Sequence, residues 1–185
     1  MLPWMTWQLD PMHTQVEFSA KHFGMMTVRG HFNQVATSGQ IDPVDPAASS
    51  VEVTIDVASL TTGNAQRDND LRSSYFLELD KYPTITFKST RIAPAGEDRY
   101  TLTGDLTIKG ITRPVTLNVQ RYGEINDPMM GHRVAYSAEG QIDRKDFGME
   151  FDMLADNRLI VSHEIKLFIE TELVEQQAAV AAAVN

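Results

Sequence analysis

Apolar and polar side chains alternate one for one through most of this chain, and that pattern leaves few folds open. Val51, Val53, Ile55 and Val57 are separated by Glu52, Thr54 and Asp56. Tyr100, Leu102, Gly104, Leu106 and Ile108 are separated by Thr101, Thr103, Asp105 and Thr107. Successive side chains of a strand point to opposite faces, so each run is a strand with one apolar face. The same pattern predicts strands over residues 15–23, 27–32, 39–41, 84–90, 134–142 and, longest, 159–173. Pro114 has no N–H for a ladder, which puts the start of its strand at about Val115. Asp-Pro pairs make residues 42–50 a loop, and residues 93–98 read as another. About eight strands with no alternating helices exclude a parallel α/β fold.

Residues 67–89 depart from this period. Leu71, Tyr75 and Phe76 stand at helical spacing, Asn64 is placed to cap, and Asp68 and Asp70 sit near the positive end of the helix dipole. Pro83 closes the segment before a strand carrying Ile85 and Phe87 on one face. The expectation is a short helix across one end of an antiparallel barrel, with Leu71 and Phe76 capping its interior.

At 185 residues the chain supports one domain, expected over residues 1–175 with a tail at 176–185 that is a frayed helix or disordered. A net charge of −9 argues against binding nucleic acid or an anionic membrane surface. The absence of cysteine removes disulfides, thiol catalysis and zinc–thiolate sites. The opening residues have neither a basic nor a long apolar region, so a cytoplasmic protein is expected, or a periplasmic one if the chain is a trimmed mature form. No apolar run approaches the ~20 residues of a membrane-spanning helix.

Strands near ten residues long span about 33 Å, and closing them into a barrel removes exposed edges. Recurrent Glu, Lys, Asp and Arg on the polar faces put the apolar face inside. Phe18, Val53, Ile55, Phe87, Leu102, Leu106, Leu117, Tyr136, Ile165 and Leu167 are then expected to line a pore, and Phe32 shares that character. Ala20, Gly30, Gly104, Ala138 and Gly140 on the same faces suggest volume left for a ligand.

Several motifs in this order resemble the YceI-like family of polyisoprenoid-binding, lipocalin-like proteins. They are Trp7, Asp10, His13, Val16 and Phe18; His22-Phe23-Gly24; Val28 to Phe32 with Gly30; and Thr62 with Arg67-Asp68, Leu71 and Phe76. Tyr82-Pro83-Thr84-Ile85-Thr86-Phe87-Lys88-Ser89, Gly104 to Gly110, and Arg144, Asp146, Phe147 and Gly148 complete the set. The resemblance covers about residues 7–173. Val161-Ser162-His163-Glu164 stands where many relatives read Val-Gly-Asp-Glu. The resemblance implies an all-β fold, an extended eight-stranded antiparallel lipocalin-like barrel. It also implies a long isoprenoid or fatty-amide chain in the pore, no catalysis, and often a homodimer; Phe147 joins the ligand-facing set on this ground.

Polar candidates are fewer. His22 and His163 fall near the end of the first long strand and the start of the last, which pair in an up-and-down barrel. Both imidazoles are expected inward at one end, within reach of a quinone or amide carbonyl. Arg67 is either half of a surface pair with Asp68 or a donor to a head group at the mouth. The five histidines show no metal-ligand spacing, and no Gly-x-Ser-x-Gly elbow is present, so no metal, cofactor or catalytic residue is expected beyond a bound lipid or quinone. The leading reading is a non-enzymatic carrier or store of an isoprenoid lipid. The alternatives are a carrier of a fatty acid or fatty amide, and an enzyme using His22 and Arg144 for acid–base chemistry.

Overall fold

Alternating strands bury their apolar faces by curling one sheet around a common interior. The computed structural model describes residues 6–176. Its elements in order are β1 Thr6–His22, β2 Met26–Phe32, β3 Val35–Gln40, β4 Ser50–Asp56, β5 Leu60–Thr61 and helix α1 Ala65–Arg72. There follow β6 Thr84–Gly96, β7 Arg99–Ile108, β8 Ile111–Asp127, β9 Gly131–Asp143, β10 Leu154–Ala155, β11 Arg158–Leu159 and β12 Glu164–Gln176. Ten strands form one sheet in the order β3-β4-β6-β7-β8-β9-β12-β1-β2-β5, and β10 and β11 form a separate hairpin. The first and last long strands pair antiparallel, Phe18 opposite Leu167 and Val16 opposite Ile169, as expected.

The all-β, antiparallel, lipocalin-like architecture with one helix is the one anticipated; strand count and closure differ. The sheet is a half-barrel whose ends are β3 and β5. β1 meets β2 only from Val16 onward, so its first half carries a ladder on the β12 side alone. Neighbouring strands of the sheet run antiparallel throughout, so β2 and β3 point the same way, as do β4 and β5. The β1–β2 turn, α1 and the turn at Arg144–Phe147 therefore share one end, and loop 41–49 and the β6–β7 and β8–β9 turns share the other.

Prolines mark the corrections to strand limits. Pro114 lies within β8 opposite Asp105, four residues before β9 begins to pair at Asn118, so the missing N–H falls on an unpaired side. Pro94 likewise sits inside β6, next to a register shift. The last strand starts at Glu164, because residues 160–163 leave the ladder. The Ala-rich tail lies outside the described residues except for Gln176, which ends β12.

α1 is held by its N-terminal polar groups. The Asn64 side chain accepts from Arg67 N at 3.0 Å, closing the cap. Asp68, only 6% exposed, accepts from the Thr62 backbone N at 2.8 Å and hydroxyl at 2.5 Å. These bonds hold its carboxyl below the usual range despite its burial, which acts the other way. Tyr75 and Phe76 follow the helix in a turn, where Leu77 N donates to Leu71 O at 3.0 Å.

The inward glycines do not leave empty volume. A Cβ on Gly30 would lie 2.4 Å from Phe18 Cζ, and one on Gly104 would lie 2.4 Å from Phe87 Cζ and 2.5 Å from Lys88 O. A Cβ on Gly140 would lie 2.5 Å from Leu117 Cδ2. Neighbouring side chains thus occupy the space over these glycines. Gly104→Ala should therefore cost about 1–3 kcal/mol by overpacking, read as a lower denaturant midpoint at unchanged m-value. A neutral result would show that Phe87 swings aside freely.

Candidate functional site

The curled sheet encloses a cavity of about 310 Å³, within the range of small-molecule sites. Of the residues expected in the pore, Phe18, Phe32, Val53, Ile55, Phe87, Leu102, Leu106, Leu117, Tyr136, Ile165 and Leu167 line it, and Leu71 reaches it from α1. Strand parity explains this placement. Val53 stands opposite Phe87 and Ile55 opposite Ile85, Phe87 opposite Leu106, and Leu102 opposite Leu117, so each rung presents apolar groups to the interior.

The helical end is closed. Leu60, Leu71, Leu77 and Met149 meet the cavity there. Behind them Phe76 and Phe147 are 6% and 1% exposed, and Phe76 packs edge-on to Phe151 at 5.5 Å. Phe76 and Phe147 are therefore packing under the floor and do not line the cavity, in contrast to the sequence expectation. The one-turn helix Arg144–Phe147 carries Phe147 there, and Phe151 packs on Phe76.

Arg144 ties this floor together. It is 1% exposed, and its guanidinium donates to Met149 O, to Ser162 O at 3.1 Å, to Val161 O at 3.3 Å and to Asp152 Oδ1 at 2.9 Å. Its Cζ lies 5.9 Å from the centre of the Phe76 ring. Asp152 also takes Lys145 Nζ at 2.5 Å and His163 Nε2 at 2.9 Å. These partners, Lys145 foremost, hold its carboxyl well below the ordinary carboxylate range.

The histidines and Arg67 correct the sequence reading. His22 and the last segment do meet at the helical end, through a bridge between His22 and Val161. Neither ring lines the cavity, however. His22 Nδ1 donates to Ile160 O at 2.9 Å, and its ring packs on Phe23 at 4.1 Å. His163 turns away to Asp152, because residues 160–163 have left the ladder that would have kept its parity. Arg67 does not reach the cavity; it folds back on Thr62, donating from Nε to the hydroxyl at 2.7 Å and from Nη2 to the carbonyl at 2.9 Å. Met25, Met26 and Met153 are exposed, whereas Met149 is buried in the floor.

At the opposite end residues with polar tips reach the cavity through their carbon atoms. Tyr100 and Tyr136 line it, as do Thr14, Thr37, Asp42 and Ser49. Burial pushes the Tyr136 phenol up, which keeps it protonated, while neighbouring Arg121 opposes that shift. Arg121 pairs with Asp98 at 3.4 Å and Glu124 at 2.5 Å. Nearby, Arg133 Nη1 lies 2.7 Å from Asp10 and 2.8 Å from Glu172. Asp10, His13 and Glu172 converge within 4.8 Å, and Arg133 Nη1 bridges the two carboxylates.

Sequence reasoning missed Leu9, Val35, Leu60 and Leu77 in the wall. Leu9 was masked by Asp10-Pro11, where β1 carries extra residues between Leu9 and Thr14. Val35 belongs to a strand whose alternation is too short to read, and Leu60 and Leu77 sit outside any periodic run.

A curled antiparallel half-barrel around an apolar cavity, with a helix at one end, defines a lipocalin-like binding protein. The YceI-like domain model matches residues 7–173, and the chain belongs to that family. It is 39% identical over 168 residues to protein YceI of Escherichia coli, covering 91% of this chain and 85% of that one. A UPF0312 protein of Pectobacterium carotovorum is also 39% identical over 168 residues, covering 91% and 84%. Among solved structures, BcnA of Burkholderia cenocepacia superposes with a TM-score of 0.77 at 27% identity, covering 89% of this chain and 99% of that one. A polyisoprenoid binding domain from Saccharophagus degradans gives 0.64 at 16% identity, covering 94% and 100%, a likeness of fold.

Proposed function

We propose that this protein binds a long amphiphilic isoprenoid lipid, such as a polyisoprenoid or isoprenoid quinone, and stores or carries it without catalysis. The observation that carries this reading is the cavity itself, walled by aliphatic and aromatic side chains from Phe18 on β1 to Leu167 on β12. Such a wall gains about 25 cal/mol for each Å² of apolar ligand surface removed from water. The polyisoprenoid-binding structural neighbour supports the same cargo class. The acid–base alternative draws little support, since the Arg144 donors are taken by carbonyls and Asp152 and His22 is bonded to Ile160 O. Organic extraction of freshly purified protein followed by mass spectrometry tests the reading. A prenyl lipid near one per chain is the expected result. A fatty acid or fatty amide instead would redirect the cargo, and protein that neither carries nor takes up any lipid would sink the reading.

A further inference from the structure

The route by which a lipid reaches the cavity depends on where its wall is weakest. The end at α1 is floored. At the other end Ile41, Asp42, Pro46 and Ser49 line the cavity and the turn Pro46–Ala48 meets β6, so loop 41–49 crosses part of that mouth. The side wall has a seam. β3 runs on from β2 in the same direction, and continuing the β1–β2 register would set Val35 opposite His13 and Gln40 opposite Gln8. Among the described residues no ladder forms there: β3 pairs with β4 alone, and β1 before Val16 pairs with β12 alone. Both sides withdraw their backbone groups. In β1, residues 10–13 fall where β12 has only Glu172. Pro11 has no N–H, Met12 N donates to Asp10 Oδ1 at 2.9 Å, and the Thr14 hydroxyl donates to Asp10 O at 2.7 Å. Across the seam Asn33 N donates to Ser59 O at 3.2 Å and Asp56 N to Gln34 O at 3.0 Å, which ties the start of β3 to the side away from β1.

A second hollow, of about 590 Å³, lies on the outer side of this seam. It is bordered by Pro11 from β1 and by Ala36 and Thr54, an exposed cross-strand pair on β3 and β4. Thr14, Phe32 and Val35 border both hollows. Their side chains are the partition between pore and surface, and no ladder joins Thr14 to Val35. Segments with few backbone hydrogen bonds to break open at the lowest cost. We propose that lipid enters and leaves the pore sideways through this seam, between the first half of β1 and β3, with Thr14, Phe32 and Val35 as the gate. The proposal rests on the lipid-binding reading above and adds the route.

The test is stopped-flow uptake and release of all-trans-retinol, a fluorescent isoprenoid alcohol, by the delipidated full-length chain. Ala36→Trp sets an indole in the outer hollow without entering the pore, and Thr54→Trp does so from the facing strand. Each, checked for folding by circular dichroism, should slow uptake and release by the same factor, about tenfold or more, with Kd unchanged, because an obstructed route raises one barrier common to both directions. Val35→Ala thins the partition and should speed both rates. Val44→Trp, on the exposed part of loop 41–49, should leave the rates as they are. Rates unchanged in both Ala36→Trp and Thr54→Trp overturn the seam, and slowing in Val44→Trp instead assigns entry to the end of the barrel. Wild-type protein that takes up no retinol overturns the lipid-pore reading itself, and the seam route with it.

Discussion

Arg144→Ala should lower stability by about 4 kcal/mol, in the range for removing one partner of a buried charged network. In a domain of this size that corresponds to a fall of about 10 °C in Tm. The loss has several parts. The carbonyls of Met149, Val161 and Ser162 lose their donors, Phe76 loses the cation over its ring, and Asp152 keeps only Lys145 and His163. Carbonyls left buried without partners are costly in themselves. Arg144→Lys should recover little, because an ammonium is a single point where the guanidinium donates in several directions at once. Equilibrium denaturation of the two variants checks this. A loss below about 1 kcal/mol for Arg144→Ala would mean that the floor is held by Phe147 and Met149 packing alone.

The second large effect is on binding. Val53 lies midway along β4 opposite Phe87, half-buried, with its side chain on the cavity wall. Val53→Trp places an indole in the space a ligand chain needs. Because it enters a void, it should cost less stability than the 1–3 kcal/mol typical of overpacking a filled core. Lipid recovered per mole of protein should fall about tenfold or more, equivalent to at least ~1.4 kcal/mol of binding. Thr86→Trp is the control, since Thr86 is an exposed outward position on the neighbouring strand. Equal lipid content in the two variants would place the ligand outside the barrel.

Much of this wall was legible from residues alone. Val53, Ile55, Leu102, Leu106, Leu117, Ile165 and Leu167 all face the cavity because parity along a strand is a local property that needs no partner to be read. Asn64 as a cap was legible for the same reason, since its bond spans three residues. The misread residues depend on distant partners or on breaks in regularity. His163 changes its surroundings because residues 160–163 leave the ladder. Arg67 is claimed by Thr62 and Arg144 by Met149, Val161, Ser162 and Asp152, none of which a periodic pattern marks. Small residues also misled: Gly30, Gly104 and Gly140 are covered by Phe18, Phe87 and Leu117 from neighbouring strands, so the cavity comes from the girth of the curled sheet.

The amino-acid order by itself determined that the chain is antiparallel β with an apolar inner face, that one short helix interrupts it, and which strand positions look inward. All three follow from spacings of two to four residues, within which the backbone dictates side-chain direction. Only the tertiary structure decided that the sheet stops short of closure between β3 and β5, which end is floored, and which polar side chains stay near the cavity. Those outcomes turn on pairs such as Arg133 with Asp10, His22 with Ile160 and Arg121 with Asp98. Such pairs join residues far apart in the chain, and their meeting is set by strand register and the curl of the sheet, which no local pattern encodes.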